Sequence, residues 1–151
     1  MKTKRSGRPV HVMLIEDNPG DVDLVLEVLG ESAWQNRVTV AVDGLDALER
    51  LCTYKDLPDL ILLDLNLPKK DGRTVLREMK ADLELRHIPV IVLSSSEADR
   101  DLIDAYELQA SCYLSKPPDL DAYLGTIRAI EQFWMVLAKL PPSPELRRVA
   151  T

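Results

Sequence analysis

Pro58-Asp59-Leu60-Ile61-Leu62-Leu63-Asp64-Leu65-Asn66-Leu67-Pro68-Lys69-Lys70-Asp71-Gly72-Arg73 is the stretch that decides the fold. Leu60 to Leu63 form an unbroken aliphatic run too short for a buried helix. Bounded by Pro-Asp on one side and a Pro/Gly turn on the other, it reads as a parallel strand covered on both faces. The strand ends on a carboxylate, Asp64. Asn66, Pro68 and Asp71-Gly72 then make a loop that leads into a helix. In open parallel sheets ligands bind outside the carboxyl ends of the strands. Asp64 is held by a rigid element yet faces that crevice, so it is the first candidate functional residue.

The rest of the chain repeats the pattern. His11 to Ile15 is a short apolar strand that runs into Glu16-Asp17. Asn18-Pro19-Gly20-Asp21 follows, with Asp21 as the expected cap of a helix whose apolar face is Val22, Leu24, Val25, Leu26, Val28 and Leu29, and which stops at Gly30. Val38 to Val42 is β-branched and short, a second strand. Asp43-Gly44 turns into a helix carrying Leu45, Ala47, Leu48, Leu51 and Cys52. After the central strand comes a helix over 73–81, then a strand from Ile88 to Leu93 ending in Ser94-Ser95-Ser96. A polar helix over 97–108 has few apolar anchors: Leu102, Ile103, Ala105 and Tyr106. Ser111 to Ser115 is the fifth strand, followed by Lys116-Pro117-Pro118, and Asp119 opens a last helix that could extend to Leu140 before Pro141-Pro142 stops it.

Strand and helix therefore alternate five times with short connections. Each parallel pair needs a right-handed crossover, so the expectation is one doubly wound α/β domain with helices on both faces of a five-stranded parallel sheet. It would span residues 10–140, with tails over 1–9 and 141–151. The length of 151 residues suits one domain with a proper core. A net charge of −6 argues against a surface built for nucleic acid and suits a carboxylate-rich site that attracts a cation. Cys52 and Cys112 stand alone and read as buried core thiols. His11 and His87 read as structural or surface residues, and Trp34 as packing or surface. No apolar run is long enough for a signal peptide or a membrane span, so the expected compartment is the cytoplasm.

Four of the five strands end in residues useful for chemistry: Glu16-Asp17, Asp64, Ser94 and Lys116. With the flavodoxin-like strand order 2-1-3-4-5, the first and third strands are neighbours and the switch point lies between them. Asp17 and Asp64 then converge in one crevice, with Ser94 and Lys116 on its far side. Carboxylates so close repel unless a cation sits among them, and an all-oxygen site that retains waters suits Mg²⁺. Facing that cation, the Lys116 ammonium and the Ser94 hydroxyl would form a pocket for a phosphoryl group. Phosphoryl transfer needs little beyond in-line positioning and charge neutralisation. The nucleophile would be Asp64, giving an aspartyl phosphate.

At these residues the sequence resembles the receiver domains of two-component response regulators, over about residues 9–131. The resemblance implies that Asp64 accepts a phosphoryl group from a phosphohistidine on a sensor histidine kinase. It implies that Asp17, Asp64 and the Asn66 backbone carbonyl ligate Mg²⁺ directly and that Glu16 helps through water. Lys116 would pair with the phosphoryl group across a peptide to Pro117 that is usually cis in the family. Ser94 and Tyr113 match the switch positions, and Ser95, where many receivers carry Ala or Gly, sits beside the phosphoryl site. The loop over 66–73 and the late Glu131-Gln132-Phe133-Trp134 look like the small regulators that serve phytochrome kinases. In such proteins the face of the fourth helix, fifth strand and fifth helix is the output surface, reached by a shift between two states.

Phe133, Trp134, Val136, Leu137 and Leu140 carry apolar character past the expected end of the sheet. A patch of that kind marks an interaction site, and Phe133, Trp134 and Leu137 are the expected anchors of a homodimer. No DNA-binding or enzymatic output domain fits after Leu140, so the signal would leave by protein contact, or the protein would act as a phosphate shuttle or sink. One rival reading is a haloacid-dehalogenase-type phosphohydrolase, which would need a second Asp where Asn66 stands. Another is an interaction module independent of phosphorylation, against which the intact set of Glu16, Asp17, Asp64, Ser94 and Lys116 argues. A dinucleotide-binding oxidoreductase is excluded, since the first turn lacks the glycine-rich cradle.

Overall fold

The computed structural model describes residues 10–30, 36–67 and 69–142, and of Leu137 the backbone only. Trp34, Pro68, the basic N-terminal segment and residues 143–151 lie outside the described residues. Five strands, β1 (Val10–Ile15), β2 (Asn36–Ala41), β3 (Leu60–Leu63), β4 (Val90–Ser94) and β5 (Cys112–Ser115), alternate with helices α1 (Pro19–Gly30), α2 (Gly44–Leu51), α3 (Gly72–Ala81), α4 (Asp99–Glu107) and α5 (Leu120–Ile130). All neighbouring strands pair in parallel in the order β2-β1-β3-β4-β5. The doubly wound reading and its strand order are what the structure shows.

The period of two along each strand builds two cores. Met13, Ile15, Ile61, Leu63, Val90 and Val92 point to one face, where α2, α3 and α4 supply Leu48, Leu51, Leu76, Met79 and Ala105. Val12, Leu14, Leu60, Leu62, Ile91 and Leu93 point to the other, covered by Val25, Val28 and Leu29 of α1 and Tyr123, Ile127 and Ile130 of α5. All four residues of β3 are fully buried, as a central parallel strand requires.

Several local expectations change. β2 begins at Asn36 and ends at Ala41, because its six residues pair one for one with Val10–Ile15. Val42 is 57% exposed and its N–H donates to Asp46, so it belongs to the turn into α2. The cap of α1 is Asn18, whose side-chain oxygen accepts from the Asp21 N–H, and not Asp21. Pro19 takes the first helical position, where its missing N–H costs nothing. On α4 only Ala105 is buried, while Leu102, Ile103 and Tyr106 face outward. Cys52 is exposed and Cys112 half-buried, so neither is a sealed core thiol. His87 is exposed, whereas His11 is buried and holds the Leu57 carbonyl and the Thr39 hydroxyl.

The last helix also departs from expectation. The α-helical pattern ends at Ile130, and Glu131–Leu137 form a π-helical turn. The Ala138 N–H donates to the Phe133 carbonyl five residues back at 2.7 Å, and Ala138 is already extended. The wider turn buries Met135 on the α1–α5 side, with Trp134 and Leu140 packed partly against it. Phe133, edge-on to Trp134 with ring centroids 5.4 Å apart, is 55% exposed. Among the described side chains of this extension, Trp134, Met135 and Leu140 pack on the domain and Phe133 stays exposed, while the Leu137 side chain lies outside the described residues.

Candidate metal and phosphoryl site

Backbone pairing carries the strand ends to a common level. The Glu16 N–H donates to Ala41, the Asp64 N–H to Ile15 and the Lys116 N–H to Ser94, each to the main-chain carbonyl at 2.8–3.1 Å. Strands one, three and five thus deliver Glu16-Asp17, Asp64 and Lys116 to one cleft of about 990 Å³, which Asn66 and Ser95 also line.

Glu16, Asp17 and Asp64 each offer a carboxylate oxygen, all within 4.8 Å of one another. Glu16 is buried, Asp64 half-buried and Asp17 exposed. The Lys116 ammonium has three protons and meets three carboxylates: Glu16 Oε2 at 2.5 Å, Asp21 Oδ2 at 2.9 Å and Asp64 Oδ2 at 3.4 Å. Burial pushes the Glu16 carboxyl up to about 7, with Asp64 adding to the shift and the Lys116 hydrogen bond opposing it. Burial alone would lower Lys116, but its bonds to Glu16 and Asp21 outweigh that and hold its proton more tightly than usual. A crowded, all-oxygen set with one carboxyl held against ionisation is the donor chemistry of a hard divalent cation.

The loop that carries Asn66 is fixed from two sides. Asn66 N–H donates to Asp64 Oδ1 at 3.1 Å and Gly72 N–H to the Leu65 carbonyl at 2.9 Å. At α2, Gly44 lies so close to the loop that a Cβ there would sit 1.7 Å from the Lys70 carbonyl oxygen. Lys69 reaches Asp43, the α2 cap, at 3.6 Å.

Glu16, Asp17, Asp64, Asn66, Ser95 and Lys116 therefore share the cleft, as the sequence suggests. Ser94 and Tyr113 do not line it. Ser94 is fully buried, its hydroxyl accepting from the Ser96 N–H at 3.2 Å, and the Tyr113 hydroxyl donates to the Ser96 carbonyl at 2.8 Å. The peptide between Lys116 and Pro117 is trans, since no cis bond occurs among the described residues. Two residues escaped the sequence reading. Asp21 looked like a cap but binds Lys116, while Asn18 takes the capping role. Ser96 gave no signal beyond its place in a serine run.

A parallel five-stranded sheet with acids after strands one and three and a lysine after strand five defines a receiver domain. The response regulator receiver domain family matches residues 12–128, and the chain belongs to that family. It is 43% identical over 141 residues to the response regulator Rcp1 of Synechocystis sp., covering 90% of this chain and 96% of that protein. Among solved structures, the Mn²⁺-bound form of Rcp1 superposes with a TM-score of 0.86 at 42% identity, covering 89% of this chain and all of that one. The phosphorylated cyanobacterial phytochrome response regulator RcpA gives 0.87 at 41% identity with the same coverage. The protein is a receiver-type signalling protein, and no described helix is long and apolar enough to cross a membrane.

Proposed function

We propose that the protein is a single-domain response regulator that accepts a phosphoryl group on Asp64 and passes the signal on by protein contact. The observation that carries this reading is Asp64 Oδ2, 3.4 Å from the Lys116 ammonium and within the same three-carboxylate cluster as Asp17 and Glu16. The Asp64 carboxylate attacks phosphorus of a phosphohistidine on a sensor histidine kinase, an O–P bond forms as the P–N bond breaks, and the ring, already protonated on its other nitrogen, leaves as neutral imidazole. Asp17, Asp64 and the Asn66 carbonyl would hold Mg²⁺, Glu16 supporting it through water. When bound, the cation neutralises charge on the phosphoryl oxygens. Lys116 pairs with a phosphoryl oxygen, Ser95 borders it, and Ser94 and Tyr113 respond to it. The likeness to RcpA supports a phytochrome-type kinase as the donor, and the cytoplasm, where such a kinase would be met, as the place of action. The net charge of −6 supports a protein partner over nucleic acid.

The first test is intact mass after incubation with acetyl phosphate. We expect a single phosphoryl adduct with Mg²⁺ present and none after chelation. The cation must also displace a proton. Glu16 is raised from its ordinary 4.5 to about 7, so in the metal-free chain its contribution to stability is full below 4.5 and is lost as pH rises through about 7. Mg²⁺ affinity runs the other way and falls as pH drops from about 7.5 to about 5.5. Calorimetric titration in buffers of different ionisation enthalpy should show proton release in that range, and none above it.

Among the described side chains of the extension Phe133 is exposed, and we propose that it seats a second copy of the chain, with Trp134 behind it and Leu137 on the same turn. A Phe133→Ala variant should then show a lower mass by light scattering than the parent at equal concentration. Equal masses, with a dimeric parent, would remove Phe133 from the interface.

A further inference from the structure

A serine just past a strand end ordinarily caps the next helix, but Ser96 does more. Its N–H donates to the Ser94 hydroxyl, its carbonyl accepts from the Tyr113 hydroxyl, and its own hydroxyl donates to Asp101 Oδ2 at 2.5 Å. Asp101, on α4, is paired with the guanidinium of Arg73. Arg73 stands in the first turn of α3, next to Gly72, whose N–H holds the loop after Asp64. A continuous polar path thus runs from the Ser94 hydroxyl through Ser96 and Asp101 to Arg73. Arg73 also reaches Asp104 Oδ2 at 3.2 Å, giving it a second hold on α4.

The path matters because α4 has little else to fix it. Ala105 is its only buried residue, and its N-cap, Ala98, offers no side-chain bond. The ion pairs are partly sheltered: the side chains of Arg73, Asp101 and Asp104 are 26%, 17% and 20% exposed. Such pairs resist screening better than free surface pairs. A helix with one apolar anchor and a polar clasp can shift as a unit when the clasp opens.

We propose that the Arg73–Asp101 pair, linked through Ser96 to the Ser94 segment, is a clasp holding α4, and with it Ser94, in the resting arrangement. This rests on the phosphoacceptor reading of Asp64. Ser94 is fully buried, so turning its hydroxyl to a phosphoryl group on Asp64 means moving the segment that carries the Ser96 bonds. That motion pulls on Tyr113 and Asp101 together. By linkage, whatever weakens the clasp must favour the phosphoryl-bound state.

The test uses the full chain and beryllofluoride, a phosphoryl mimic for carboxylates, titrated at fixed Mg²⁺. Arg73→Ala and Asp101→Asn should each tighten the apparent Kd for beryllofluoride by about fivefold, leaving the Kd for Mg²⁺ alone unchanged. Arg73→Ala, which also frees Asp104, should tighten binding at least as much as Asp101→Asn, and the double variant should bind no tighter than Arg73→Ala alone, since that change already opens the whole clasp. Arg100→Ala, which removes only the exposed partner of Asp104, should match the parent. Asp101→Asn keeps the side-chain shape and so guards against a variant that fails to fold. Unchanged or weaker beryllofluoride binding in Asp101→Asn, with a binding parent, overturns the clasp alone. No beryllofluoride binding by the parent overturns the phosphoacceptor reading and the clasp with it.

Discussion

In a Lys116→Ala variant, phosphorylation by acetyl phosphate falls by about 100-fold, the size of effect seen when one preorganised charge-stabilising donor is removed from a reacting group. The same variant should bind Mg²⁺ more tightly. In the parent the ammonium lies against Glu16, Asp21 and Asp64 and competes with any cation for their charge. Removing a partly screened unit charge is worth on the order of 1 kcal/mol, roughly a fivefold gain in Mg²⁺ affinity. The metal-free chain should meanwhile lose about 3 kcal/mol of stability, because the buried Glu16 is left without its cation. Added Mg²⁺ should restore most of that loss. Opposite signs for reaction and cation binding separate the charge argument from simple damage to the fold. Weaker Mg²⁺ binding, or unchanged phosphorylation, would contradict it.

Gly44→Ala should be the most disruptive change outside the site. The new Cβ would meet the Lys70 carbonyl oxygen at 1.7 Å and its carbon at 2.7 Å, both backbone atoms. Neither can rotate away, so α2 and the 65–71 loop must separate. The cost should be about 3 kcal/mol, at the upper end for forcing atoms into a packed region, and the melting midpoint should drop by about 9 °C. The loop also carries Asn66, whose position depends on that support, so Mg²⁺ affinity should fall as well. Val42→Ala, two residues away and 57% exposed, should leave both quantities near the parent. A Gly44→Ala protein with parental melting and Mg²⁺ affinity would show that α2 does not brace the loop.

Much of this was legible because parallel sheets put their chemistry at strand ends. A run such as Leu60–Leu63 fixes the strand, and the next residue, Asp64, then has one place to go. Glu16, Asp17 and Lys116 followed by the same rule. Asp21 did not, since an acid near a helix start reads equally well as a cap or as a site residue. Only the Asn18-Pro19 pair, a cap followed by a helix-opening proline, favoured the second reading. The π-helical turn was hidden for a different reason. Glu131–Leu137 has ordinary helical spacing, and burial of Met135 five residues after Ile130 becomes visible only once the chain meets α1 and the sheet. The Arg73–Asp101 pair joins α3 to α4 across 28 residues, and a charge pair of that kind leaves no local pattern.

The most direct test of the central claim is peptide mass analysis after acetyl phosphate and Mg²⁺, run beside an Asp64→Asn control of intact fold. The expected result is a phosphoryl group on the peptide containing Asp64, labile as an acyl phosphate, and no adduct in the control. An adduct on another peptide, or none in the parent, would contradict it.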